Sequence, residues 1–203
     1  MSGLFDIHIT VKVSDVFKLR MYCLDNRIKP LMIVSSHGDN SIQMMLSKYK
    51  NGTEEEVIER ANTMAKELQN KYGCEIMRIK VEAMIGNEGV PEHENDVKNP
   101  SKYFEFHIGI PVNSSEEYTR LQNVCHSAGA VLSFNAFKAE FMPIITIRIP
   151  GHKGRKNAIE KKNKIMDEIK SHSFHTNDRM HSEFSVYDTN VEFDKGWLDS
   201  NHY

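Results

Sequence analysis

The chain is short of cysteine and lacks long apolar segments. Its three cysteines are scattered and have no Cys-x-x-Cys spacing, so they do not form a disulfide framework and favour a reducing compartment. No apolar run approaches the roughly 20 residues that span a bilayer. The N-terminus has no basic segment followed by an apolar stretch, as a secretory signal would. We therefore expect a cytoplasmic protein with no membrane partner.

An excess of positive charge is also missing. Lysine and arginine together number 26 against 28 aspartates and glutamates, which gives a formal net charge of −2. Proteins that bind duplex DNA usually carry a strongly basic surface. The sequence therefore predicts no duplex-DNA partner, although a local basic groove stays possible. The length of 203 residues suits one large domain or two small ones.

One short sequence occurs twice. Residues 5–11 (FDIHITV) return as residues 104–110 (FEFHIGI), each with an acid and a histidine on its polar face. Alternation of period two is typical of a strand with one apolar and one polar face. A repeated strand indicates a repeated unit, which would bring His8 and His107 together across a pseudo-two-fold axis.

The remaining patterns predict the same order of elements in both halves. Strands are predicted at 5–12, 31–35, 42–49 and 76–84 in the first half, and at 104–110, 131–139, 144–149 and 183–187 in the second. The helices are predicted at 14–26, 53–72, 114–128 and 156–171, two of them opened by capping boxes at Thr53 and Ser114. This predicts an α+β fold of tandem duplicated ferredoxin-like βαββαβ lobes with pseudo-two-fold symmetry.

The domain boundaries follow from the same patterns. The first lobe is expected over residues 1–85 and the second over 104–190. Between them, residues 86–103 are polar and aperiodic, with two glycines and two prolines that favour a linker or surface loop. Residues 191–203 form a C-terminal tail that contains the only tryptophan, Trp197.

The polar faces of these strands carry the candidate site. A ferredoxin-like sheet buries one face under its helices and leaves the other open. If the two open faces pack toward each other, His8 and His107 lie in one polar cleft. Neutral imidazole is a base and imidazolium an acid near pH 7, so the pair suits cleavage of a phosphodiester or a cyclic phosphate. The side chains expected to bind phosphoryl oxygens are Thr10, Arg78, Lys80, Thr146 and Arg148.

At these residues the chain resembles the two-histidine (2H) phosphoesterases, in which each of two related lobes contributes a His-x-Thr/Ser motif. His8-Ile9-Thr10 matches the motif, whereas His107-Ile108-Gly109 matches only in its histidine. The resemblance implies that His8 and His107 are catalytic, that a nucleotide or RNA is the substrate, and that no metal or other cofactor is needed. Thr146 or Ser133 could supply the second hydroxyl.

Two other functions stay open. The alternating charges of residues 6–12 and 78–82 resemble the strands of triphosphate-tunnel (CYTH) enzymes, which bind triphosphate with a divalent metal, although the Glu-x-Glu-x-Lys pattern is incomplete. The third reading is a non-enzymatic module that binds a nucleotide, RNA or a protein. In that case the charges at 78–82 form a cross-strand salt-bridge ladder.

Two further segments carry possible ligands. His172, His175, Asp178 and His181 could form a zinc cluster if their loop converged. The Gly-rich basic segment 151–156 opens a helix, where free backbone amides favour an anion.

Overall fold

A computed structural model describes residues 1–97, 99, 101–177 and 180–196. Asp178, from the possible zinc cluster, and Trp197 with the end of the tail lie outside the described residues. The structure is α+β, with an antiparallel sheet and, in the described residues, four α-helices. No helix in these ranges has the length and apolar character that crossing a bilayer requires.

The first half runs from β1 to β4. Its elements are β1 (Ser2–Val11), α1 (Val16–Asn26), β2 (Lys29–Ser35), β3 (Ile42–Thr53), α2 (Glu54–Tyr72) and β4 (Ile76–Met84). The capping box at Thr53 and Glu56 forms as predicted, and Gly73 ends α2 in the left-handed conformation at φ 68°. Strand β3 continues past Tyr49, where it was expected to end, because its last residues pair with the start of β1.

The second half runs from β5 to β8. It comprises β5 (Tyr103–Gly109), α3 (Ser115–Ser127), β6 (Val131–Asn135), β7 (Pro143–Pro150), α4 (Gly154–Ser171) and β8 (Met180–Asp188). The Ser114 hydroxyl accepts a hydrogen bond from the Glu117 amide, but the Glu117 carboxylate accepts from the Asn113 amide. The second capping box therefore forms only in part.

The eight strands form one closed antiparallel barrel in the order β1-β3-β2-β6-β7-β5-β8-β4. Each half contributes four strands in the ferredoxin-like order, and the halves join through β2 with β6 and through β4 with β8. The expectation of two sheets with open faces is wrong. Closure pairs the edge strands, whose backbone groups would otherwise lack partners, and turns both polar faces into the barrel interior.

The hydrophobic core lies outside the barrel, between the strands and the helices. Phe5, Ile7 and Ile9 of β1 are fully buried there, as are Val57 and Leu68 on the inner stripe of α2. The alternate side chains of each strand therefore point into the barrel. Lys12 was expected on the same face of β1 as His8, which points into the barrel. It instead lies on the outer surface of the protein, where its Nζ is 2.9 Å from Glu75 Oε2.

Candidate functional site

The barrel interior contains a cavity of about 210 Å³ that is partly open to solvent. It is lined by side chains at alternate positions of the strands, as period two requires. All seven residues selected from the sequence line this one cavity: His8, Thr10, Arg78, Lys80, His107, Thr146 and Arg148. Their catalytic and phosphate-binding roles stay predictions.

His8 projects from β1 between two carboxylates. Its Nε2 lies 3.4 Å from Asp6 Oδ2 and 3.3 Å from Glu82 Oε2. The Ser47 hydroxyl donates to the Asp6 carboxylate, with its Oγ 3.0 Å and 2.9 Å from the two carboxylate oxygens. The Nδ1 atom of His8 is buried and has no hydrogen-bond partner among the described residues. One side of this imidazole is thus unsatisfied.

His107 occupies the corresponding place on β5. Its Nδ1 is 3.0 Å from the Thr146 hydroxyl, and its Nε2 is 3.4 Å from Glu105 Oε1 and 3.7 Å from Glu183 Oε2. Desolvation lowers the pKa of His107 to about 4, although Glu105 opposes this shift. The imidazole is therefore neutral near pH 7.

Gly109 stands where the two-histidine motif has a hydroxyl residue. A Cβ atom at this position would lie only 2.7 Å from Asn177 Oδ1. A threonine would therefore displace the Asn177 side chain. The hydroxyl beside His107 comes instead from Thr146, which faces His107 across the β5–β7 pair.

Glu183 lies between the two histidines. Oxygen and nitrogen atoms of His8, Glu82 and Glu183 all lie within 4.8 Å of one another, and His107 contacts the same Glu183 carboxylate. The Glu183 side chain is 3% exposed. Burial, together with the nearby Glu82 carboxylate, raises its pKa well above the ordinary range.

The cationic side chains predicted to bind phosphate are engaged by carboxylates. Lys80 Nζ lies 2.7 Å from both Glu82 Oε1 and Glu105 Oε2. Arg148 Nη2 is 2.6 Å from Asp194 Oδ2, and its Nε is 3.1 Å from Glu105 Oε2. Of these contacts, only the Arg148–Glu105 pair joins paired strands, since Lys80 contacts Glu82 of its own strand and Glu105 of β5, which is not a neighbour of β4. Among the described residues, Lys80 therefore forms no part of the cross-strand ladder that the sequence offered as an alternative for residues 78–82.

Arg78 is held by two acids that the sequence did not select. Its guanidinium contacts Asp188 and, at 2.6 Å, Asp194 Oδ2. Asp194 belongs to a short C-terminal turn (Val191–Asp194) and also accepts a hydrogen bond from Gln43 at 2.8 Å. Two acids in and after the last strand gave no periodic signal, so sequence patterns could not assign them.

Tyr103 is a third residue that the sequence did not select. Its hydroxyl is 3.3 Å from Arg78 Nη2, and its ring lies under the Arg148 guanidinium at 4.6 Å. Arginine over an aromatic face is stabilised by the ring quadrupole. Tyr103 therefore helps to fix both arginines.

Carboxylates outnumber cations inside the barrel. In the described part of the chain, six carboxylates and three cations have side chains at most 11% exposed within this network: Asp6, Glu82, Glu105, Glu183, Asp188 and Asp194 against Arg78, Lys80 and Arg148. Counted as ionised, the carboxyl groups exceed the cations by three, apart from the histidines, and burial opposes this excess by raising the pKa of Glu82 and Glu183. A buried charge needs a partner, so this interior attracts cations.

The other predicted ligand segments do not converge. His172 and His175 are exposed after α4, and His181 Nδ1 lies 3.4 Å from the Tyr49 hydroxyl at the cavity wall. None of the three joins a metal-ligand cluster within the described residues. In the basic segment 151–156, Arg155 pairs with Glu92 and Lys153 pairs with Glu94.

No protein-family model and no curated protein matches the chain. Among solved structures, it is similar to the ligand-free regulatory subunit of aspartate kinase from Thermus thermophilus, with 13% identity, TM-score 0.35, and coverage of 83% of this chain and 93% of the other. A chlorite dismutase variant from Candidatus Nitrospira defluvii gives 10% identity, TM-score 0.32 and 96% coverage of both chains. A heme-binding protein, also from Thermus thermophilus, gives 10% identity, TM-score 0.31 and 92% coverage of both. At these TM-scores the similarities carry no argument about function.

Proposed function

We propose that the barrel interior is an active site that hydrolyses a phosphate ester of a nucleotide or an RNA end with the help of a divalent metal ion. The observation that carries this proposal is the meeting of His8 and His107, from opposite halves, at the Glu183 carboxylate. A buried cavity with titratable groups at its centre is a frequent setting for catalysis. A cytoplasmic location suits such a substrate and the three free thiols.

His107 is the general base in this proposal. We assign the Nδ1 proton to the hydrogen bond with Thr146, so that the Nε2 lone pair, which faces the Glu105 and Glu183 carboxyl groups, accepts the proton. A water molecule attacks phosphorus, one of its protons moves to His107, and the phosphorus–oxygen ester bond breaks. The leaving oxygen takes a proton from solvent. Positioned proton transfer of this kind contributes about 10²–10⁴-fold to the rate.

The charge balance favours the metal-dependent form of the reaction over the metal-independent form expected from the sequence resemblance. A phosphate ester brings further negative charge into an interior already rich in carboxylates. Arg78, Lys80 and Arg148 are held by those carboxylates and do not offset it. A divalent cation would supply the missing positive charge and polarise the phosphoryl group.

The test is a panel of cyclic nucleotides, oligoribonucleotides and nucleoside triphosphates, each assayed with Mn²⁺, with Mg²⁺ and with EDTA. We expect hydrolysis that EDTA abolishes and that His107→Ala lowers by about 10²–10⁴-fold. His172→Ala is the matched control, because His172 is exposed after α4 and does not line the cavity. Undiminished activity in His107→Ala, or no hydrolysis of any substrate, would refute the proposal.

A second candidate is the metal-independent histidine pair. It is favoured by the position of His8 between Asp6 and Glu82, which suits an imidazolium acid. Hydrolysis that survives EDTA but is lost in both His8→Ala and His107→Ala would establish it. Binding of a nucleotide without turnover would instead indicate a non-enzymatic module.

We also infer that the two halves arose by duplication of one ferredoxin-like unit, which gives the barrel its pseudo-two-fold symmetry. The matching strand registers support this: His8 faces Ser47 on β3, and His107 faces Thr146 on β7. The test is to co-express residues 1–90 and 100–203 as separate chains. Reassembly into one stable 1:1 complex is expected, whereas two independent, equally stable monomers would contradict the two-half barrel.

A further inference from the structure

We propose that His8, Glu82 and Glu183 bind one divalent transition-metal ion, Mn²⁺ or Zn²⁺, inside the barrel. The role of this ion in hydrolysis rests on the proposed function, but its binding can be measured without any substrate. The three side chains come from the adjacent strands β1, β4 and β8, so rigid backbone positions them.

The distances fit a metal centre. Bonds of about 2.0–2.2 Å from a tetrahedral ion place neighbouring ligand atoms roughly 3.4 Å apart. His8 Nε2 and Glu82 Oε2 are 3.3 Å apart, and all three ligand groups lie within 4.8 Å. Only a small movement of Glu183 is therefore needed to complete the site.

A second observation points to a missing ligand at Glu183. Its side chain is 3% exposed and lines the cavity, yet it makes no hydrogen bond within the described residues. The nearest basic group is the His107 imidazole at 3.7 Å. Leaving a buried carboxylate without donors is costly, and a cation at this point would remove the cost.

The contacts around Glu82 leave one of its carboxylate oxygens available to bind a metal ion. Lys80 lies 2.7 Å from Oε1 of Glu82, whereas Oε2 is the oxygen that faces His8. Asp6 Oδ2 lies 3.4 Å from His8 Nε2 but outside the three-residue cluster, and it accepts a hydrogen bond from Ser47. One imidazole with carboxylates suits Mn²⁺ and Zn²⁺ better than Mg²⁺ or Ca²⁺, which prefer all-oxygen sites.

The experiment is a titration of the metal-stripped full chain with Mn²⁺. Binding is measured by calorimetry and by the decrease in the electron paramagnetic resonance signal of free Mn²⁺. We expect one ion per chain, displaced by Zn²⁺ and not by equimolar Mg²⁺. Loss of one ligand in Glu183→Gln or His8→Ala should weaken binding by more than about 100-fold, since even outer-shell changes cost 10–100-fold. His172→Ala, a change of an exposed histidine outside the cavity, should bind as the wild type does.

Glu183→Gln separates binding from folding. It keeps the shape of the side chain and replaces a carboxyl group whose ionisation burial opposes with a neutral amide, so the metal-free variant should melt at the same temperature as the wild type or a higher one. Wild-type affinity in both Glu183→Gln and His8→Ala, or no stoichiometric binding at all, would overturn the site. One bound ion without hydrolysis of any substrate would support the metal site and refute the proposed function.

Discussion

The two acid–histidine pairs occupy matching positions in the two halves but have different surroundings. In the second half, Glu105 accepts hydrogen bonds from Lys80 and Arg148, and Thr146 satisfies Nδ1 of His107. The second pair is therefore enclosed in a network of satisfied polar groups.

The first pair is left incomplete. Ser47 holds the strand position that matches Thr146, but its hydroxyl donates to Asp6, and Nδ1 of His8 has no partner among the described residues. A buried polar network in which every group has a hydrogen-bond partner makes the structure rigid. A buried polar group without a partner is unfavourable, and a ligand that pairs with it gains binding free energy. The difference indicates that the same strand pattern can stabilise the fold in the second half and leave groups free to bind a ligand in the first half.

The largest effect is expected from two buried glutamates of the second half, one inside the satisfied network and one beside His8. Glu105→Ala leaves Lys80 and Arg148 short of a buried partner, and we expect it to lower the free energy of unfolding by about 3–5 kcal/mol. Metal-free Glu183→Gln should cost nothing or be slightly stabilising. Urea denaturation at pH 7 measures both. Equal losses would mean that the Glu105 and Glu183 carboxyl groups are equally well satisfied.

A second prediction concerns the carboxylate that joins the halves. Burial opposes ionisation of Asp194, but Arg148 and Arg78 hold its pKa below the ordinary range. Asp194→Asn should cost about 2–3 kcal/mol at pH 7, since charged hydrogen bonds are lost. Because the folded pKa is depressed, this contribution is complete above the unfolded pKa of about 3.9 and is lost as the pH falls below it.

The measurement is urea unfolding of the wild type and Asp194→Asn between pH 7 and pH 3. The gap between them should be constant above about pH 5 and should shrink below about pH 4. Glu192→Gln, an exposed change in the same turn, is the control and should show no such gap. A difference in the free energy of unfolding that grows as the pH falls would contradict a lowered pKa of Asp194 in the folded protein.

A smaller effect should distinguish the two hydroxyls. Thr146→Val leaves Nδ1 of His107 unpaired and should cost about 1–3 kcal/mol, with a change in the ¹⁵N shifts of that imidazole. Ser47→Ala should leave the ¹⁵N shifts of His8 almost unchanged, because Ser47 bonds to Asp6. Equal shifts at both histidines would show that the halves do not differ in this respect.

The smallest effect on stability is expected for the buried cysteines, which have similar surroundings in the two halves. Cys23 in α1 and Cys125 in α3 are both buried, and burial raises the pKa of each thiol to about 12. Neither should react with a thiol reagent at pH 8 until the protein is unfolded. Cys125→Ser should cost about 1 kcal/mol without affecting any activity. Rapid modification of native Cys125 that blocks activity would contradict this.

Local patterns were sufficient to predict which side chains face inward. Alternation of period two selected His8, His107 and Arg148 for one polar face, and each of them lines the cavity. It also predicted the order of helices and strands, because capping and periodicity are properties of neighbouring residues. The capping box at Thr53 is an example.

Closure of the barrel could not be predicted in this way. It depends on pairs such as Ile33 with Asn135 and Glu82 with Ser185, which are about a hundred residues apart and leave no local signal. The same holds for the ion pairs of Arg78, whose partners Asp188 and Asp194 follow it by more than a hundred residues. The sequence therefore showed that Arg78 is positively charged, but not which carboxylates pair with it.

The turn that carries Asp194 follows all eight strands in the chain, and this has a consequence for synthesis. Arg78 leaves the ribosome long before either of its acidic partners exists, so the nascent first half must keep that guanidinium in water. Asp194 then joins Gln43 and Arg78 of the first half to Arg148 of the second. This turn therefore joins the two halves, and its charge pairing can form only after all eight strands have been synthesised.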